Sequence, residues 1–319
     1  MATYLTRQIL QWIPVLFISS VLIFAVVRAL PGDPADVIAG PDATPEVVEQ
    51  IRSDYGLDRP LPEQYFSWLK HVAQGDFGQS YIYHRPNGEL IFSRLPFSLL
   101  IAVTALLVAV AVGIPAGLAA GMNEGRLPDW LMSMGSALSI ATPDFWFGIV
   151  MVIIFSVSLG WLPPGGFVSA FDSPWRFFLS LVLPSLTLAL HGSAVLARFT
   201  RNAVIETLGE DYIRTARAKG LRRGRIVRWH VLRNSLIPIV TMMGILLGRM
   251  LGGAVVIETV FAWPGVGRLL VQSIINRDYG VVQGILVILV LFFLLLNLVV
   301  DILYGFVDPR IRVAQEKAK

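Results

Sequence analysis

The chain has 319 residues, 26 Lys and Arg against 22 Asp and Glu for a formal net charge of +4, and 55% hydrophobic but only 15% charged residues, with a mean hydropathy of +0.66. That balance is too apolar for the surface of a soluble globular domain and points to a polytopic membrane protein. Cysteine is absent, which excludes disulfides, thiolate metal sites and a cysteine nucleophile.

A helix needs roughly 20 apolar residues to cross the bilayer core. Six segments qualify: about Ile9–Leu30, Phe97–Gly121, Leu131–Gly160, Phe177–Ala197, Leu236–Phe261 and Val281–Gly305. Each is expected to be helical, because lipid offers no partner for free backbone groups and the segments are too long for barrel strands. The first lies behind Arg7 but is too long for a signal-peptide core and lacks a clear cleavage site, so it reads as an uncleaved span. The following 66 residues, Pro31–Pro96, carry ten acidic and five basic residues and read as an external segment. The loop from Arg198 to Pro238 holds ten Lys and Arg against Glu206, Glu210 and Asp211, a net of +7 (10 − 3). Short basic loops stay on the cytoplasmic side, so both termini are expected inside. The chain then divides into 1–30, the external segment 31–96, a five-helix core 97–305 containing the basic loop 198–238, and a cytoplasmic tail 306–319.

Pro14, Pro115, Pro143 and Pro184 fall inside these segments and should bend helices or free carbonyls, as suits helices that line a path. Ionisable residues inside spans normally face a bundle interior or a wet cavity, which makes Asp144, Arg249 and Glu258 candidates for a translocation pathway; Asp301 lies near the inner end of the last span. Arg249 and Glu258 are nine residues apart, about 13 Å along a helix, too far to pair directly. No Lys is followed by Ser or Thr, so a phosphate-binding loop is missing. His71, His84, His191 and His230 are scattered and form no metal motif. The chain offers no catalytic constellation and is read as a non-enzyme.

Several blocks then stand out in order: LPGDP at Leu30–Pro34, the stretch Tyr55–Tyr81, EDYIRTARAKG at Glu210–Gly220, HVLRNSLIP at His230–Pro238, ETVFAWPGVG from Glu258 followed by RDYGVVQG from Arg277, and ILYGFVDPRIR at Ile302–Arg312. With these blocks the chain resembles, along almost its whole length, the inner-membrane permease subunits of bacterial ABC importers of the dipeptide, oligopeptide and nickel class. The resemblance implies an all-α type I importer fold with six spans. It implies a heterodimer with a second permease, two cytoplasmic ATPases that bind the ATP and Mg this chain lacks, and a periplasmic or lipid-anchored substrate-binding protein, with no nucleic acid involved. The Ala-rich turn corresponds to the family's EAA loop, a short coupling helix that fits a groove on the ATPase. It places Arg214, Thr215, Ala216, Arg217, Ala218, Lys219 and Gly220 at that contact. Thr215, Ala216 and Ala218 are small enough for close approach, and Gly220 can end the helix in the left-handed region; Arg214 stands where the family has Glu. Within the class the cargo is expected to be a dipeptide or oligopeptide, with glutathione or nickel complexes as alternatives, and a secondary transporter is the reading from another class.

Overall fold

The computed structural model describes residues 2–29, 33–40 and 42–307; the tail 308–319, with the end of the ILYGFVDPRIR block, and Leu30–Gly32 of LPGDP lie outside them. Among the described residues helices joined by turns make up the fold and no strand is formed, with one isolated bridge between Gln79 and Pro86. The elements are α1 (Ala2–Ala29), α2 (Pro34–Ala39), α3 (Pro45–Asp54), α4 (Leu61–Ala73), α5 (Asn87–Met122), α6 (Leu127–Ala141), α7 (Asp144–Met151, continued as a π-helix over Val152–Ser158), α8 (Pro174–Gly209), α9 (Asp211–Ala218), α10 (Arg223–Ile226, continued as a π-helix over Val227–Val231), α11 (Leu232–Val260), α12 (Val266–Ile275) and α13 (Tyr279–Val307). Proline in the first turn opens α2, α3, α4, α6 and α8, where its missing N–H costs nothing. Ser173 adds a cap to α8 by accepting the Arg176 N–H.

Five helices are long and apolar enough to span a membrane, α1, α5, α8, α11 and α13, and α6 with α7 makes a sixth if the bent pair is counted as one span. The third expected span is therefore not one rod. Thr142 and Pro143 are both extended, and the chain turns by 101° between α6 and α7, because Pro143 can neither donate to the preceding turn nor let Thr142 stay helical. The basic stretch 198–238 is also less of a loop than its charge suggests. It comprises the end of α8, then α9, α10 and the start of α11.

The chain forms two compact units. One comprises Met1–Phe97 with Pro264–Leu295, the other Ser98–Trp263 with the remaining C-terminal residues. Residues 33–40 and 42–96 pack in one unit with α1, α12 and the first part of α13. Tyr65 of α4 meets Phe24 of α1 edge to face and Trp68 meets it tilted, at ring distances of 5.5 and 5.9 Å, and the Tyr65 hydroxyl meets Ser20 Oγ at 2.8 Å. Phe77 packs against a core of Ile91, Val266, Leu269, Val281 and Ile285. Ser80 Oγ donates to Asp278 at 2.5 Å, and Asn87 Nδ2 donates to the Phe77 carbonyl. These contacts join two of the blocks met in the sequence, GDFGQSY and RDYG. Aromatic residues that could face a partner from outside are in large part committed to this fold, although Tyr55 remains 55% exposed.

In the second unit α8 is the central helix, with sixteen of its residues buried, and α5, α6, α7 and α11 pack around it. The contact with α5 is unusually close. A Cβ on Gly113 would meet the Ser193 carbonyl at 2.8 Å, one on Gly117 would strike the Ala197 carbonyl and Thr200, and one on Gly121 would lie 2.8 Å from Val204. Three glycines at four-residue spacing let the two backbones touch, which is how helices associate where lipid removes the hydrophobic drive.

Candidate functional site

The seven residues 214–220 do lie together, on and just after the short helix α9. One residue, Glu210, links α9 to α8. Ile213 and Ala216 are buried on its inner side with Val204, Ile226 and Val231, while Asp211, Arg214, Thr215, Arg217 and Ala218 face outward. Ala216 is buried in this cluster, where its small side chain lets α9 lie close to α8 and α10. Arg214 is 78% exposed by its side chain and pairs with Asp211 at 3.5 Å.

The helix ends as a Schellman motif. The Gly220 N–H bonds to the Arg217 carbonyl at 2.9 Å and the Leu221 N–H to that of Ala216 at 3.2 Å. Gly220 has φ +76°, a conformation that costs glycine nothing, and Leu221 completes the motif by packing with the buried Ala216 cluster. The result is a short packed helix whose outer side and exit carry Arg214, Arg217, Lys219, Arg222 and Arg225, all exposed.

Charge alone did not reveal what holds this region. Asp129, in the first turn of α6, is bonded by both Nε and Nη2 of Arg201 on α8, the latter at 2.8 Å, and accepts the Gly125 N–H at 2.9 Å. The two side chains are only 8% and 25% exposed. In the sequence Asp129 was one acidic residue in a short loop and Arg201 one of ten cations; nothing local links positions 72 residues apart.

The three pathway candidates are not brought together. Nine residues is two and a half helical turns, so Arg249 and Glu258 point to opposite sides of α11. Arg249 is exposed, whereas Glu258 is fully buried beside Ile257, Phe261 and Trp263, also fully buried. The turn after Glu258 is clamped: the Gly166 N–H bonds to the Phe261 carbonyl at 2.8 Å, and Phe167 meets Trp263 edge to face at 5.1 Å. Asp144 starts α7 directly after the sharp bend, half-buried, and its Oδ1 is buried with no hydrogen-bond partner. A carboxylate oxygen so placed calls for water, cargo or another subunit. Among the described residues no group of three His, Asp or Glu is placed to hold a metal.

Residues 1–104 match the N-terminal family of binding-protein-dependent transport system membrane components, and residues 113–313 match the family described as binding-protein-dependent transport system inner membrane component. The glutathione transport system permease protein GsiC of Escherichia coli K12 is 46% identical over 312 residues, 98% of this chain and 99% of its own; its counterpart in Salmonella paratyphi A is equally similar. Among solved structures, the MetNI methionine ABC transporter in an inward-facing conformation shares the fold with a TM-score of 0.57 at 21% identity, covering 69% of this chain and 96% of that one. An amino acid ABC transporter has a TM-score of 0.51 at 16% identity, covering 70% and 94%. The two family matches and the identity over nearly the full length lead to one conclusion: the chain belongs to the binding-protein-dependent transport system inner membrane components, the permease subunits of ABC importers.

Proposed function

We propose that this permease carries glutathione, or a short peptide close to it, inward across the bacterial inner membrane, paired with a second permease, driven by two cytoplasmic ATPases and supplied by an external binding protein. The observation that carries the cargo assignment is the 46% identity to glutathione permeases over 98% of the chain. It favours glutathione, itself a tripeptide, over the wider run of dipeptides and over nickel complexes. The ATPases are needed because the chain has no phosphate-binding loop. They dock on α9 from the cytoplasm, where the surrounding cations hold this end of the chain. ATP-driven closure moves α9, and the permease pair alternates between inward- and outward-facing states. Arg249, exposed on a span, and Asp144, with its unpartnered oxygen, are the side chains available to the pathway or to the second permease. A secondary transporter is disfavoured by the same relatives.

Deleting this chain from its host should abolish uptake of labelled glutathione and leave uptake of unrelated dipeptides largely intact. Lost dipeptide uptake with unchanged glutathione uptake would overturn the cargo.

The docking role has its own test. Since Ala216 is buried, enlarging it would damage packing, so the informative changes are on the outer side. Arg217→Glu combined with Thr215→Trp should leave the permease inserted and α9 folded, yet cut uptake by about tenfold or more, as a charge reversal and a bulky group are placed in a close-fitting contact. ATPase subunits should copurify poorly with it. Normal uptake and copurification would show that the outer side of α9 is not the docking surface.

A further inference from the structure

Two cavities lie along one seam of the first unit. One, of about 310 Å³, is walled by Leu16, Ser19 and Ile23 of α1, Trp68 and Ala73 of α4, and Val287 of α13. The other, of about 370 Å³, is walled by Val27 and Arg28 of α1, Asp33, Tyr81, and Tyr279 and Gln283 of α13. Leu16, Ile23 and Val27 recur at helical spacing and share a side of α1, as Tyr279, Gln283 and Val287 do on α13. The linings of the two cavities are four residues apart on both helices, Ile23 and Val27 on α1 and Val287 and Gln283 on α13, about one helical turn, so the cavities follow one another along the groove between these helices.

Their chemistry differs. In the first chamber the hydroxyl of Ser20 is already engaged by the Phe17 carbonyl and Tyr65, and apart from Ser19 the walls are otherwise aliphatic and aromatic. Leu16 to Ile23 fall within the apolar stretch Leu10–Ala29 of α1, so with α1 spanning the bilayer an acyl chain would be the filler at hand. The second chamber lies where α1 ends. Arg28 reaches into it with its guanidinium carbon 5.4 Å from the Phe24 ring, and its Nε is buried with no hydrogen-bond partner. Asp33 stands on the same wall, its carboxylate fixed by the Ala35 N–H at 2.9 Å and Arg52 at 2.5 Å. Burial, then Tyr55 and Asp278, push the Tyr81 hydroxyl up to about 12, so it stays a protonated donor.

The geometry points to this groove as the binding site of one aminophospholipid, with the phosphate on Arg28 and Tyr81, the ammonium toward Asp33, and an acyl chain in the chamber under α4. A soluble zwitterion would match the polar chamber but leave the apolar one unused. A helix of a second permease would fill the apolar chamber and leave Arg28 unanswered. Both chambers on one seam match a lipid.

The full-length protein, placed in nanodiscs of mixed phosphatidylethanolamine and phosphatidylglycerol and released for native mass spectrometry, should retain one phosphatidylethanolamine. Arg28→Gln should reduce that retention by about tenfold, the loss of one charge-assisted contact, and Ser19→Trp, which fills the apolar chamber, by a similar factor. Asp33→Asn should abolish the preference over phosphatidylglycerol. Wild-type protein that emerges without lipid, or retention indifferent to Ser19→Trp, overturns the site; the latter outcome would indicate a soluble zwitterion. Loss on Ser19→Trp alone, with Arg28→Gln and the headgroup mixture without effect, overturns the headgroup assignment. Should Arg28→Gln fail to fold, the wild-type choice between the two headgroups decides.

Discussion

Gly117→Leu should be the most damaging single substitution in the second unit, with the protein recovered in low yield and unfolding at much lower temperature in detergent. Any Cβ here would collide with the Ala197 carbonyl and Thr200, and backbone cannot yield as the end of a flexible side chain can. Overpacking costs about 1–3 kcal/mol where neighbours can adjust; with a carbonyl as the obstacle ~3 kcal/mol or more is expected. Gly117→Ala should already be clearly harmful. Gly135→Ala is the matched control, since nothing lies within 4 Å of the position a Cβ would take and alanine favours the helix by about 1 kcal/mol. Equal thermal stability of the Gly117→Ala and Gly135→Ala proteins would contradict the close contact of α5 with α8.

Asp129→Asn should cost ~3–5 kcal/mol, the usual range when one partner of a buried pair is removed and the other charge is left behind. Arg201 then has no carboxylate in a setting where its side chain is only 25% exposed. The double variant Asp129→Asn with Arg201→Met should recover most of that loss, because no charge remains to be desolvated and methionine fills irregular space. Thermal unfolding of the two single variants and the double variant in the same detergent closes the cycle. If the double variant is as unstable as the sum of the singles, the pair contributes nothing as a pair, and its short bonds have no energetic role.

Apolar length revealed most of the spanning helices in the sequence, since runs of this length have one backbone solution in lipid. The proline at 143 announced a break, and the glycine at 220 announced a left-handed helix end; both act through their own covalent geometry. The 101° turn at Pro143 was not legible, because how far a broken helix swings depends on what packs against it. The glycine spacing at 113, 117 and 121 was present in the sequence as a small-residue repeat, but its partner on α8 is set by tertiary packing. The same holds for Asp129 with Arg201 and for the meeting of Ser80 with Asp278, both pairings of distant positions. Arg249 and Glu258 lie nine residues apart on α11, too far to pair. Helical phase carries the further point that only one of them can face outward when α11 has one side packed on its own chain.

The length of α8 bears on how force passes through the molecule. Its 36 residues extend roughly 54 Å at about 1.5 Å per residue, well beyond a hydrocarbon core of about 30 Å. Several turns must therefore stand clear of the lipid, and the far end is joined to α9 by Glu210 alone. No slack loop lies between them to absorb a displacement. Any displacement of α9 would pass straight into the near end of α8, which Asp129 holds through Arg201 and which the glycines of α5 meet along its side.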